Sequence, residues 1–217
     1  MAIALHPANA QKLPERRAFR VIGGLVEDNP QRIDFIGRRY LLALARMSVE
    51  GHFSGEIPDV KLWEAPVQEV SEVKACFVTI NSSGNLRGCI GSLHAFRPLM
   101  HDVMENAINA AFHDERFPPL AERELGAINF SISVIDEPSG LAVRSADELL
   151  SKLVEAKHGL IIRKGGAMAT YLPHVWRMFP EKEEFLKNLC LKAGLPGDEW
   201  RGQGMEFFTY EAQEFSE

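Results

Sequence analysis

The sequence has few cysteines and no paired cysteine motif. Three cysteines occur in 217 residues, and none lies in a Cys-x-x-Cys pair. An odd number of cysteines without a secretory signal is typical of a reduced, cytoplasmic protein that folds without disulfides. His94, His101 and His113 do not share the close spacing of zinc ligands. We therefore predict a cytoplasmic protein with no dedicated metal site.

Motifs for common cofactors are also missing. No segment matches Gly-x-x-x-x-Gly-Lys-Ser/Thr or a dinucleotide-binding fingerprint. The only glycine pair that follows a lysine, Lys164-Gly165-Gly166, is too short to wrap a phosphate group and reads as a hairpin turn. The sequence therefore predicts no cofactor.

Positive charge is in deficit, and long apolar runs are absent. The net charge is −6 and the isoelectric point is near 5.7, which makes nucleic acid an unlikely partner. Basic residues outnumber acidic ones only before Tyr40, where a solvated extension explains them. No stretch approaches the roughly 18 apolar residues that cross a bilayer, and the run after Arg16-Arg17 stops at Glu27, too early for an export signal. We predict a protein without membrane contact.

What is present is enough apolar sequence for one core, since 46% of the residues are hydrophobic. Residues 1–30 show no sustained period and are predicted to form a loosely ordered N-terminal extension before a domain at 31–217. Periodicity and turn residues predict helices at 33–49, from Pro98 to before Pro118, at 145–158, from Pro173 and at 181–193, with strands at 73–80, from Leu86, at 127–135, 160–163, 167–172 and 205–215. Because helices and strands do not alternate regularly, the predicted fold is α+β, with an antiparallel sheet flanked by helices.

The most informative segment is Leu86-Arg87-Gly88-Cys89-Ile90-Gly91. In a regular strand Arg87 and Cys89 share a face, and a guanidinium beside a thiol favours the thiolate. Gly88 and Gly91 leave room for a ligand to approach the backbone. This pattern predicts Cys89 as a catalytic nucleophile activated by Arg87, with both glycines in the binding site. The alternative is a bend whose cysteine is only small and buried.

A second cluster of ionisable residues follows the alanine-lined helix, at His113-Asp114-Glu115-Arg116. His113 near a helix C-terminus is a candidate acid or base. Arg116 can clamp a carboxylate or phosphate, with Asp114 orienting His113 or holding Arg116. The alternative, of equal weight, is a structural salt-bridge knot that braces the turn before Pro118.

A third candidate is His174, which follows Pro173 at a strand-to-helix junction. Backbone N–H groups there favour an anionic ligand, and His174 is predicted to contact it, although a packing role is the alternative. Cys190 lies on an apolar helical stripe and Cys76 lies in an apolar strand, so both are predicted to be core residues.

Three ordered motifs resemble the AMMECR (AMME chromosomal region) domain family. They are Leu86–Gly91, Ala111–Pro119 and Phe185–Leu195 with Trp200, and the resemblance runs from about residue 33 to the end. It implies two lobes with a cleft between them and a functional site at the first motif. Prokaryotic members, called protein A of the AmmeMemoRadiSam system, tend to occur with a Memo-like protein and a radical S-adenosylmethionine protein, which the resemblance implies as partners. At His174 the family commonly has glutamine.

These observations leave two classes of function open. In the first, the protein is an enzyme or enzyme component in which Cys89 is a nucleophile or transient covalent carrier. In the second, it is a non-catalytic binding or adaptor module that recognises a peptide or a small anionic ligand. Both place the site in a cleft centred on Cys89.

Overall fold

The computed structural model describes residues 32–56, 58 and 65–217. The predicted extension over residues 1–30 therefore lies outside the described residues. The α-helices are α1 (Phe35–Ser54), α2 (Leu99–Phe112), α3 (Ala146–Lys152) and α4 (Lys182–Lys192). The strands are β1 (Ala75–Ser82), β2 (Asn85–Gly91), β3 (Ile128–Ile135), β4 (Ser139–Gly140), β5 (Gly159–Lys164), β6 (Ala167–Tyr171), β7 (Glu206–Tyr210) and β8 (Ala212–Ser216). Short 3-10 helices occupy Gln68–Ser71, Glu122–Ala127, Pro173–Arg177 and Glu199–Arg201.

Lobe 1 consists of α1, α2 and an antiparallel four-stranded sheet in the order β2-β1-β3-β8. Because side chains alternate along a strand, each strand of this sheet sends every second residue towards the helices. On β1 these residues are Cys76, Val78 and Ile80, all fully buried against the two helices. Helix α1 begins after Asp34, whose carboxylate accepts a hydrogen bond from the Gly37 N–H at 2.7 Å.

A buried carboxylate ties α2 to the sheet of lobe 1. Asp102 on α2 is 1% exposed. It accepts hydrogen bonds from the Cys76 backbone N–H (2.9 Å), the Ser92 hydroxyl (2.9 Å), the Arg97 Nε (2.8 Å) and the Asn106 amide (3.0 Å). One charge thus joins the helix, the first strand and the loop after β2 in a single network.

Lobe 2 consists of α3, α4 and a second antiparallel sheet in the order β4-β7-β5-β6. Its core contains Trp176 and Phe185, whose rings stack with centroids 3.7 Å apart, together with Cys190 and Trp200. Both Cys76 and Cys190 are buried, which confirms the prediction that they are core residues.

The lobes meet through a small apolar cluster between the two sheets. Phe77 and Ile135 from lobe 1 pack there with Ile161, Leu172 and Tyr210 from lobe 2, and Cys89 lies at the margin. Further along the strands, the same face of the lobe 1 sheet changes to partly exposed polar side chains. This change marks where the lobes diverge.

The predicted α+β class is confirmed, with two antiparallel sheets where the sequence predicted one. The predicted closing strand at 205–215 is in fact two strands that belong to different sheets, with Glu211 between them. The predicted helix at 145–158 ends at Lys152, and Ala156 beyond it has a φ of 59°. That left-handed conformation is incompatible with a continuing helix. No helix in the described ranges is both long enough and apolar enough to traverse a bilayer.

Candidate functional site

Arg87 occupies a bulge in the hairpin that β1 forms with β2. Ile80 pairs with Gly88 and Asn81 pairs with Leu86, so Arg87 has no partner on β1. Its guanidinium donates to both carboxylate oxygens of Glu124, at 2.8 and 3.2 Å, and Nη1 is buried without a hydrogen-bond partner among the described residues. The structure thus pairs Arg87 with Glu124 and shows no contact between its guanidinium and Cys89 within the described residues. The bulge breaks the strict alternation on which the predicted activation of Cys89 rests.

Gly88 and Gly91 are explained by packing within the protein. A Cβ at Gly88 would lie 2.0 Å from the carbonyl oxygen of Ala110 on α2. A Cβ at Gly91 would lie 2.3 Å from the ring of Phe77. Both glycines are buried, and protein atoms fill the space beside them that is predicted to admit a ligand. Their function is to let β2 approach the helix and the neighbouring ring.

The backbone of Cys89 is held by the segment that follows α2. Among the described strands β2 is an edge strand, so one side of its backbone has no neighbouring strand there. Asp114 accepts a hydrogen bond from the Cys89 N–H at 2.8 Å, and Arg116 Nη2 donates to the Cys89 carbonyl at 3.2 Å. Arg116 also grips Asp114 through Nε (2.9 Å) and Nη2 (2.6 Å). Asp114 and Arg116 thus make the hydrogen bonds to Cys89 that a neighbouring strand would make. This is the structural role that the sequence offers as the alternative for this cluster.

The pKa of the Asp114 carboxyl lies below its ordinary value. Burial alone would raise the pKa of its carboxyl, but hydrogen bonds from Arg116 and from the Cys89 N–H outweigh burial and hold the pKa below its ordinary value. The Arg116 side chain is half exposed, and its Nη1 makes no hydrogen bond within the described residues. This guanidinium therefore keeps donor capacity directed at solvent.

Cys89 is partly buried at the margin of the apolar cluster between the lobes. Thr79 Oγ1 donates to its sulfur at 3.3 Å. Burial raises the pKa of the Cys89 thiol, while the Thr79 hydrogen bond and the positive charges of Arg116 and Lys192 oppose this rise without cancelling it. At neutral pH the thiol is therefore protonated, with two cations beside it.

Lys192, which the sequence analysis did not single out as a site residue, is the second of these cations. It closes α4, its Nζ donates to the Thr170 carbonyl at 2.9 Å, and its ammonium lies 5.0 Å from the centre of the Tyr171 ring. Burial lowers the pKa of Lys192, and negative charge on Cys89 would raise it. One feature of the sequence could have pointed to Lys192: it is a charged residue inside the third family motif, on a helix otherwise notable for its apolar face.

Tyr210 and Thr170 form the lobe 2 side of the site. Their hydroxyl groups are 2.7 Å apart, and the Tyr210 hydroxyl also donates to the Tyr171 carbonyl at 3.1 Å. Burial raises the pKa of Tyr210, so the phenol is neutral. These groups fix the wall that faces Cys89.

The two predicted histidines do not join this arrangement. His113 ends α2 with an exposed side chain, and within the described residues no hydrogen bond or ion pair connects it to Cys89. His174 Nδ1 lies 3.5 Å from Glu214 Oε1 on β8. Because β8 and β2 are opposite edges of one sheet, three strand spacings of ~4.8 Å separate Glu214 from β2. Of the predicted site residues, the structure brings together Cys89, Asp114 and Arg116.

The other cavities and clusters of ionisable side chains are weaker candidates for a functional site. Over the described ranges, no group of three or more His, Cys, Asp or Glu side chains could hold a metal ion. A cavity of about 250 Å³ lies at the opposite end of the lobe junction, bordered by Lys74, Asp136 and Glu211. It contains none of the motif residues.

Comparison with known proteins identifies the family. The AMMECR1 family model matches residues 42–215. A Nanoarchaeum equitans protein is 38% identical over 187 residues, which cover 82% of this chain and 98% of the relative. A Methanothermobacter thermautotrophicus protein is 37% identical over 182 residues, which cover 82% and 93%.

A solved structure shares the fold. The crystal structure of an uncharacterized protein from Pyrococcus horikoshii superimposes with a TM-score of 0.79 at 31% identity, over 86% of this chain and 94% of that chain. The family match spans both lobes and the segments that carry Cys89, Asp114, Arg116 and Lys192. On this evidence the chain belongs to the AMMECR1 family.

Proposed function

We propose that the protein binds a small anionic group in the cleft beside Cys89. The observation that carries the proposal is the convergence of Arg116 and Lys192 on the same thiol, from different lobes. Neither cation is fully used within the protein, since Lys192 donates to one carbonyl and Arg116 keeps one guanidinium nitrogen without a recorded partner in the described part of the chain. Two cations beside a neutral thiol attract an anion more readily than they activate a nucleophile.

The proposal also covers the cellular location of the protein and its partner proteins. We place the protein in the cytoplasm, as the protein A component of an AmmeMemoRadiSam-type system that includes a Memo-like and a radical S-adenosylmethionine protein. Support comes from the family motifs and from three cysteines that remain free thiols.

Replacing Lys192 with methionine should weaken anion binding at least 10-fold, because methionine keeps the stem but removes the charge. Titration of the full-length protein with inorganic phosphate and with acetate, followed by NMR shifts, measures this. Lys187→Met on an exposed turn of the same helix is the matched control and should bind like wild type. Equal binding by both variants, or no binding to wild type at millimolar anion, would contradict the proposal.

A second candidate function is chemistry at Cys89, favoured by the adjacent positive charges. The charges of Arg116 and Lys192 oppose the rise that burial causes in the pKa of the Cys89 thiol, so they stabilise the thiolate once it forms. Cys89 would then act as nucleophile or carrier, with Arg116 binding the anion.

Alkylation of Cys89 should be slower than that of free cysteine at pH 7, and slower still in Lys192→Met. Burial raises the thiol pKa, and loss of the ammonium raises it further, so the reactive thiolate becomes scarcer at a given pH. Peptide mapping of iodoacetamide-treated protein between pH 6 and 10 measures this, with the buried Cys76 and Cys190 as internal controls. A rate profile identical in wild type and Lys192→Met would exclude a role of the Lys192 charge in thiolate formation.

A further inference from the structure

The face of the lobe 1 sheet beside Cys89 carries an ordered set of small polar side chains. Strand register places Cys89 opposite Thr79, Thr79 opposite Ser131, and Asn81 opposite Asn129. Directly opposed residues share a face and lie about 5 Å apart, so the hydroxyls and amides form two adjacent rows. Each of these residues is at least partly exposed.

This polar face begins where the contact between lobes ends. The preceding residues on the same face, Ala75 and Phe77 on β1 and Ile135 on β3, are buried in the cluster between lobes. From Thr79 onwards, every residue of that face on β1 and β3 can donate and accept hydrogen bonds, and none is charged. The charged groups stand at one end, where Arg116 and Lys192 act on Cys89.

We propose that this face is the floor of the binding site and that its ligand is a small hydroxylated anion, a phosphorylated or carboxylated polyol. The inference rests on the proposed anion site and extends it to the uncharged part of the ligand. Charge complementarity sets the anionic group against Lys192 and Arg116. Hydroxyl groups, which both donate and accept, match the hydroxyls and amides of Thr79, Ser131, Asn81 and Asn129.

The geometry limits the size of the ligand. The rows are roughly 7 Å apart along the strands and adjacent strands are ~4.8 Å apart. A molecule of three or four carbons therefore reaches from the cations at Cys89 to the side chains of β3. A bare anion occupies only the end beside Cys89 and leaves the floor to water.

Titration with matched pairs of anions tests the inference. In wild-type full-length protein, glycerol 3-phosphate should bind about 3- to 10-fold more tightly than inorganic phosphate, because it adds one or two hydrogen bonds. Glycerate and acetate form the carboxylate pair, and the stronger pair identifies the anionic group. In Ser131→Ala/Asn129→Ala the preference should fall, because only Thr79 and Asn81 remain to meet the ligand hydroxyls, while inorganic phosphate or acetate binds as in wild type.

The outcomes separate this inference from the proposed function. Ser151→Ala removes an exposed hydroxyl on α3 and should keep the full preference. Anion binding to wild type without any preference for the hydroxylated partner would overturn the inference alone. An undiminished preference after loss of Ser131 and Asn129 would do the same. Failure of all four anions to bind would overturn the proposed function itself.

Discussion

Replacing Asp102 with alanine should lower the free energy of unfolding by about 3–5 kcal/mol, the cost of breaking a buried ion pair by removing one partner. The carboxylate is 1% exposed and is the common acceptor for Cys76, Ser92, Arg97 and Asn106. Its loss leaves several buried donors unsatisfied and one guanidinium short of its buried partner. Because domains of this size are stable by only about 5–15 kcal/mol, the change removes a large share of the total.

Urea unfolding followed by far-UV circular dichroism measures this effect. Glu105→Gln is the matched control, since Glu105 is an exposed residue of the same helix that also pairs with Arg97. An exposed ion pair contributes at most about 1 kcal/mol, so the control should stay close to wild type. Equal stability of Asp102→Ala and Glu105→Gln would show that the network does not hold α2 to the sheet.

Replacing Asp114 with alanine should lower the free energy of unfolding by about 2–3 kcal/mol at pH 7, because the carboxylate accepts charge-assisted hydrogen bonds from the Cys89 N–H and Arg116. The estimate is modest because Arg116 is half exposed and partly screened by solvent. Glu115→Ala, at the exposed neighbouring position, should have little effect.

The Asp114 effect should also depend on pH. The pKa of Asp114 is lower in the folded protein than the ordinary value of about 3.9 in the unfolded chain, so its stabilisation is fully present above that value. It declines as the pH falls below about 4 and is lost on passing the folded-state pKa. The stability difference between wild type and Asp114→Ala should therefore shrink between pH 5 and pH 3. A difference that grows in acid would contradict the assignment.

Much of the framework could be predicted from local sequence patterns. Alternating apolar and polar residues predict β3 with its correct faces, and the turn residues at 81–85 predict the hairpin that presents Cys89. The sequence around Asp114 and Arg116 is compatible with a structural ion pair as well as with a ligand clamp, and the structure contains the ion pair.

The errors have physical causes that a local pattern does not contain. The bulge at Arg87 depends on pairing with β1 and on Glu124, which is 37 residues away in the chain. Lys192 reaches the site only because two lobes meet there. His174 is predicted to contact a ligand because it lies at a strand-to-helix junction. In the structure its side chain lies against Glu214 on β8, a contact between lobes that a local pattern does not reveal.

The division of the C-terminal tail between both sheets has a mechanical consequence. The chain leaves lobe 1 after Ile135 and returns to it at Ala212, so lobe 2 is a continuous insertion into lobe 1. The two crossings are joined, since the Asp136 N–H donates to the Glu211 carbonyl at 3.0 Å. This double crossing confines the covalent connection between the lobes to one end of the lobe 1 sheet. The gap between Lys192 and Cys89 lies about 15 Å or more away along β3 and across the sheet, so its width is set by packing between the lobes and not by the chain connections.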